Sequence, residues 1–116
     1  MDIENTIEAE LRYFDSEEQR QAFRAARVSP KPHTQSWQYG PEEHSCIVVA
    51  TDGKNQIVYC ATGFGPEFPW SVQAASERDL GMDSQWHAYL YESFVCSTMW
   101  APGAPSEFMH MARGER

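Results

Sequence analysis

Apolar residues concentrate in two short runs near the middle of the chain, residues 45–50 and 56–61, and both runs are rich in residues that favour β-strands. Between them stands the dipeptide Asp52-Gly53. Asp-Gly is typical of tight hairpin turns, because glycine adopts positive φ without strain and aspartate tolerates it better than most residues. The pattern therefore predicts two antiparallel strands joined by a two-residue turn.

A two-residue turn also fixes which residues of the hairpin are neighbours. It predicts that Val48 faces Ile57 and that Cys46 faces Tyr59, with all four side chains on one face of the hairpin. The other face then carries Ile47, Val49 and Val58. Because both faces are apolar, we expect the hairpin at the centre of a sheet, covered on both sides.

The N-terminal third shows helical spacing. Apolar residues recur every three or four positions and predict a first amphipathic helix. The residues that define it are Ile3, Ile7, Leu11 and Phe14. Residues 7–13 also alternate, which leaves a strand as the alternative. A second helix is predicted over residues 16–27, because Ser16 offers an N-cap and acidic residues follow it in the first turn. Pro30 and Pro32 end this helix.

Two further strands and a long helix complete the prediction. Residues 34–39 read as an edge strand, and residues 70–74 as a strand that returns to the sheet. Asp83 and Ser84 offer an N-cap for an aromatic helix that ends near Trp100 and packs on the sheet. The fold class is therefore α+β, an antiparallel sheet of three or four strands with helices packed on it. We expect one domain over residues 1–100 and a mobile C-terminal tail over residues 101–116.

Candidate chemistry is sparse. Gly63 and Gly65 lack the third glycine, the lysine and the following helix of a phosphate-binding loop. His44, Cys46 and Cys60 have no recurrent metal-ligand spacing, and a cysteine in an apolar strand is usually a small core residue. We therefore predict a protein without cofactor, metal or catalytic residues.

The charge distribution indicates a class of partner. The net charge is −8, and seven acidic residues but only one basic residue stand among the first 18. Such a surface repels nucleic acid and anionic membrane and attracts a basic protein surface. The acidic N-terminus has no basic region followed by an apolar stretch, and no run approaches the length of a membrane-spanning helix. We therefore expect a cytoplasmic protein.

Length, the acidic segment over residues 2–18 and the lack of a catalytic motif together resemble a type of protein. The chain is similar to the small acidic inhibitors encoded by phages and mobile elements, which include anti-CRISPR and other anti-defence proteins. The similarity rests on general character and implies no residue roles.

These observations predict a non-catalytic protein-binding inhibitor that blocks the basic nucleic-acid-binding surface of a bacterial defence complex. The aromatic residues of the loop over residues 63–70 either close one end of the core or stand out for recognition. In the second case acidic residues would steer the encounter, and the exposed aromatic loop would hold the complex. The predicted partner-binding residues are Glu8, Glu10, Glu17, Glu18, Phe64, Phe68 and Trp70.

Three alternatives stay open. An immunity protein that neutralises a basic toxin would use the same acidic surface. A small ligand-binding or enzymatic domain would have a pocket between the Trp86 helix and the sheet, lined by His87, Tyr59 or Cys60. A homodimer would bury the aromatic helix between two copies.

Overall fold

The computed structural model describes residues 2–37, 40–81 and 85–103 of the 116. Its helices and strands follow one another in the order α1 (Ile3–Glu10), a 3₁₀ turn (Leu11–Tyr13), α2 (Glu17–Ala26), β1 (Arg27–Ser36), β2 (Glu43–Thr51), β3 (Asn55–Tyr59), β4 (Trp70–Ala74), β5 (Trp86–His87) and α3 (Leu90–Val95). Within these residues the strands form one antiparallel sheet in the order β1-β2-β3-β4-β5. The predicted α+β class is confirmed, with five strands where three or four were expected.

Both N-terminal helices start at side-chain caps. The Asp2 carboxylate accepts hydrogen bonds from backbone N–H groups of the first turn of α1, and Ser16 Oγ accepts from the Gln19 amide at 3.2 Å. These bonds satisfy donors that a helix start otherwise leaves unpaired. The second helix ends at Ala26, and Arg27 already belongs to β1. The edge strand therefore starts well before residue 34 and contains both prolines that were predicted to end the helix, as an edge strand permits.

The hairpin exists, but its predicted register is wrong by two residues beside the turn and by one residue beyond a bulge. The Asp52 carboxylate accepts from the Lys54 and Asn55 amides, each at 2.9 Å, and so closes a wider loop in which Thr51 pairs with Gln56. A bulge between Val48 and Ala50 shifts the pairing again. As a result Val48 faces Val58 and Ile47 faces Tyr59. Ile57 and Tyr59 consequently lie on the opposite face from Cys46.

The sheet is covered on both sides, as the apolar hairpin predicts. The helices pack on one face, which we call the helix face. Its buried core contains Ile7, Leu11, Phe14, Phe23, Val49, Ala50, Ile57, Trp70, Leu90, Phe94 and Val95. The chain between the strands covers the second face, which we call the loop face. Its buried core contains Cys46, Val48, Val58, Cys60, Leu80 and Trp86.

Three buried glutamines also attach the segment after β4 to the sheet. Gln35 Nε2 donates to Gln73 Oε1 at 2.7 Å, and Gln56 Nε2 donates to the same oxygen at 3.1 Å. Both amides also donate to the Glu77 carbonyl, and Gln56 Oε1 accepts from the Ser76 amide. Every buried side-chain polar atom of the described residues has a partner, so this polar core avoids the cost of burying unpaired groups.

The predicted long aromatic helix is wrong. Trp86 and His87 form β5, which pairs with β4, and only Leu90–Val95 is helical. The proposed N-cap residues Asp83 and Ser84 lie outside the described residues, as does the predicted tail beyond residue 103. None of the described helices is long and apolar enough to cross a membrane.

Candidate protein-interaction surface

Two of the four acids predicted to bind a partner form ion pairs within the molecule. Glu8 pairs with Arg27 at 3.0 Å. Glu17 pairs with Arg20 at 3.3 Å and with Arg24 at 3.5 Å. A hydrogen bond from the Gln21 side chain lowers the pKa of Glu17, and the two arginines lower it further. Glu18 is exposed. The acidic surface thus carries less uncompensated charge near Glu8 and Glu17 than the sequence implies.

Glu10 has a structural role as well as a charge. One carboxylate oxygen accepts a hydrogen bond from the Leu90 amide at 2.8 Å, joining the end of α1 to the start of α3. Burial raises the pKa of Glu10, and the Leu90 bond and nearby Arg12 oppose that shift. Glu10 therefore holds together the two helix ends that carry the exposed aromatic residues described next.

The aromatic loop after β3 is not exposed as a unit. Phe68 is 42% exposed, but Trp70 is only 1% exposed and packs against Tyr59 with ring centroids 4.8 Å apart. Phe64 is half-buried against Trp86 at 5.9 Å. The expected exposure of Trp70 is therefore wrong. The register explains why, since Trp70 pairs with Tyr59 in the sheet and faces the helices.

A different group of aromatic residues lies at the surface, where the 3₁₀ turn meets α3. Tyr13 and Tyr89 are each 41% exposed, and their ring centroids are 4.9 Å apart. The half-buried Tyr91 lies 6.0 Å from Tyr89 and 6.5 Å from Phe14 of the core. These spacings are those of favourable aromatic pairs. We call Tyr13, Tyr89 and Tyr91 the tyrosine patch.

Charged groups surround the tyrosine patch. The Arg12 guanidinium lies 4.9 Å from the Tyr13 ring centroid and donates to the Tyr13 hydroxyl at 3.1 Å. Glu92 accepts from the Tyr89 amide at 2.9 Å. Desolvation raises the pKa of Tyr91, and the negative charges of Glu92 and Asp15 raise it further. With Glu10, these carboxylates form an acidic rim around the three rings.

The sequence holds a partial signal for the patch. Phe14 completes the apolar spacing of the first helix, so its neighbour Tyr13 has to point away from the core. The exposure of Tyr89 could not be predicted in this way. It depends on the position of β5, and the segment that forms β5 was predicted to be helical. The contact between Tyr13 and Tyr89 joins distant parts of the chain, which local periodicity does not report.

The residues suggested for an enzymatic pocket do not converge. Tyr59, Trp70 and His87 occupy one row across β3, β4 and β5, so Trp70 separates the other two. Cys60 belongs to the loop face. His87 Nδ1 instead forms a 2.7 Å hydrogen bond with Ser93 Oγ inside the helix-face core.

Another polar region lies beside the sheet. A cavity of about 320 Å³ beside β4 is lined by Gln73, Ala74, Glu77, Asp79, Leu80, Gly81 and Gln85. None of the described residues that line it is a histidine. In the part of the chain that the structure describes, no group of three histidine, cysteine or acidic side chains could hold a metal ion.

Comparisons with protein-family models, with curated proteins and with solved structures found no significant match for this chain.

Proposed function

We propose that this chain is a non-catalytic protein-binding inhibitor and that the tyrosine patch with its acidic rim is its binding surface. The observation that carries the proposal is the contact between two 41%-exposed tyrosines at the junction of α1 and α3. Tyrosine is enriched among the residues that contribute most to protein interfaces, because it combines a large rigid apolar area with a hydrogen-bonding hydroxyl.

The patch is preorganised, which favours binding. Tyr13 is held by Arg12 and by the Tyr89 ring, and Tyr89 begins a helix whose start is fixed by Glu92 and Glu10. A partner would therefore order few further side chains on docking, and less free energy would be lost to conformational entropy.

The rim indicates the chemistry of the partner. Glu10, Asp15 and Glu92 are acidic, and the chain as a whole carries a net charge of −8. A second copy would bring like charges together across the patch, which disfavours a homodimer through this surface. A basic protein surface would supply the complementary charge.

Basic surfaces of this kind are those with which proteins hold nucleic acid. Occlusion of such a surface, as in a bacterial defence complex, is the form of inhibition that we propose. A basic toxin that is neutralised by an immunity protein would present a similar charge. The identity of the partner therefore distinguishes an inhibitor of a defence complex from an immunity protein.

The test uses variants of equally exposed aromatic residues. The wild type, a Tyr13→Ser/Tyr89→Ser double variant and a Phe68→Ser control are each immobilised and exposed to lysate of the source cells. Proteins retained in stoichiometric amount are identified, and a DNA duplex is then added as competitor. Circular dichroism verifies that each variant is folded.

We expect the wild type and the Phe68→Ser control to retain the same basic protein, the double variant to lose it, and DNA to displace it. If the double variant retained the partner and the Phe68→Ser control lost it, the binding surface would be the loop after β3 and not the tyrosine patch. Equal retention by all three, or no retained protein, would contradict the proposal.

A further inference from the structure

Two cysteines face each other on the loop face of the sheet. The observed register pairs Ile47 with Tyr59 and Val48 with Val58, and one step further along both strands brings Cys46 opposite Cys60. Each residue is only 1% exposed, and both are free thiols.

The backbone hydrogen bonds show which kind of pair this is. The Cys60 amide donates to the Pro69 carbonyl at 2.8 Å, towards β4 and away from β2. In a strand the N–H and C=O of one residue point to the same side, so Cys46 and Cys60 form a non-hydrogen-bonded pair. The Cα atoms of such a pair lie about 4.5 Å apart, the closer of the two antiparallel spacings. That separation falls at the short end of the range that a disulfide spans.

The surroundings of the two sulfurs differ. The Cys46 thiol has one proton, which it donates either to the His44 carbonyl, at 3.5 Å, or to Cys60 Sγ. Cys60 accepts the second of these bonds and, from the turn that follows it, hydrogen bonds from the Thr62 hydroxyl and from the backbone of Thr62 and Gly63. Together they lower the pKa of Cys60 to about 5 against the opposing effect of burial, whereas donation to Cys60 and burial raise that of Cys46.

A histidine completes the arrangement. Thr62 Oγ1 lies 3.7 Å from Cys60 Sγ and 2.9 Å from His44 Nδ1. A hydroxyl has one proton, so when Thr62 donates to Cys60 its oxygen accepts from His44. Thr62 is itself exposed, which places the Cys60 sulfur one side chain below the surface.

We propose that Cys46 and Cys60 are a redox-active dithiol, in which Cys60 is the attacking cysteine and Cys46 the resolving cysteine, and that a low-molecular-weight disulfide oxidises the pair. This activity is independent of the tyrosine patch.

The reaction proceeds in two exchanges. The Cys60 thiolate attacks one sulfur of the small disulfide, forming a mixed disulfide and expelling one thiolate. Cys46 then loses its proton to solvent and attacks Cys60 Sγ, expelling the second thiolate. In sum the two protein thiols lose two electrons and two protons, and the small disulfide becomes two thiols.

The third cysteine is an internal control. Cys96 packs against the helix-face core, with the sheet between it and the pair. It cannot bridge to Cys46 or Cys60 in the folded protein. Trypsin also places the three cysteines in three separate peptides, 28–54, 55–78 and 79–113.

The experiment treats the folded full-length chain with oxidised glutathione and then labels the remaining thiols with N-ethylmaleimide. Intact mass and non-reduced tryptic peptides are measured for the wild type, Cys96→Ser and Cys46→Ser. Circular dichroism before and after oxidation verifies that the fold is retained.

We expect the wild type to lose two hydrogens, to keep one labelled thiol at Cys96, and to yield a linked 28–54/55–78 peptide that dithiothreitol separates. Cys96→Ser should form the same bridge at the wild-type rate. Cys46→Ser should lose the bridge completely and stop at a glutathione adduct on the peptide that contains Cys60. Three labelled thiols in the wild type, a bridge that includes Cys96, or a bridge formed only after unfolding in urea would overturn the proposal.

Discussion

Burial holds His87 neutral at pH values where a histidine side chain ordinarily titrates. The ring lies in the helix-face core beside Ser93, and burial lowers the pKa of His87 from 6.5 to about 4. The unfolded chain binds a proton on this residue as the pH falls below 6.5, whereas the folded chain binds it only near pH 4. Protonation in that window therefore favours unfolding.

The consequence is a loss of stability in mild acid. Above pH 6.5 His87 is neutral in both the folded and the unfolded chain and does not lower the free energy of unfolding. Between pH 6.5 and pH 4 that free energy should fall by up to about 3 kcal/mol. A His87→Asn variant keeps a hydrogen-bonding side chain without a titrating ring. Urea unfolding of both proteins between pH 4 and pH 7 checks this, since carboxylates titrate in both and the difference isolates His87. Parallel curves would show that His87 contributes nothing to the pH dependence.

At the scale of elements, the junction of α1 and α3 depends on a side chain that accepts a backbone hydrogen bond. Glu10 binds the Leu90 amide, and the nearby Tyr13–Tyr89 contact joins the same two parts of the chain. The carboxylate is partly desolvated, so its negative charge lowers the stability of the fold. The hydrogen bond that its oxygen accepts from the Leu90 amide raises that stability.

Two substitutions of Glu10 separate these contributions. Glu10→Ala removes the acceptor and should lower the free energy of unfolding by about 1 kcal/mol. Glu10→Gln keeps an oxygen and removes the charge, so its stability should equal or exceed that of the wild type at pH 7. Chemical denaturation at that pH distinguishes the two expectations. Equal destabilisation by both substitutions would mean that charge, rather than the hydrogen bond, stabilises the junction.

Local pattern predicted some elements correctly and failed at others for physical reasons. The capping side chain of Ser16 and the proline-rich stop before residue 34 placed α2 within one residue at each end. The hairpin register was wrong because the Asp52 side chain closes a loop that is wider by two residues, and the bulge after Val48 reverses only one residue of that shift. The aromatic segment was predicted helical from its spacing, but aromatic residues also favour strands, and pairing with β4 decided the outcome at Trp86.

For the whole molecule, the two-sided apolar hairpin was sufficient to predict a central sheet with a core on each face. The tyrosine patch and the cysteine pair were harder to predict, since both depend on contacts between residues from different elements. The tyrosine patch requires the turn after α1 to meet the start of α3, and the opposed cysteines require the observed register. Neither arrangement is encoded in local spacing.

Site-specific photo-cross-linking shows whether the tyrosine patch contacts a partner protein. A benzophenone amino acid replaces Tyr89 in one version of the chain and Phe68 in another, and each is irradiated in source-cell lysate at low salt, with and without a DNA duplex. We expect position 89 to cross-link to a basic protein, and we expect this cross-link to disappear when DNA is added or the salt concentration is high. Position 68 should give no cross-link. A cross-link only from position 68, or from neither position, would contradict the proposal.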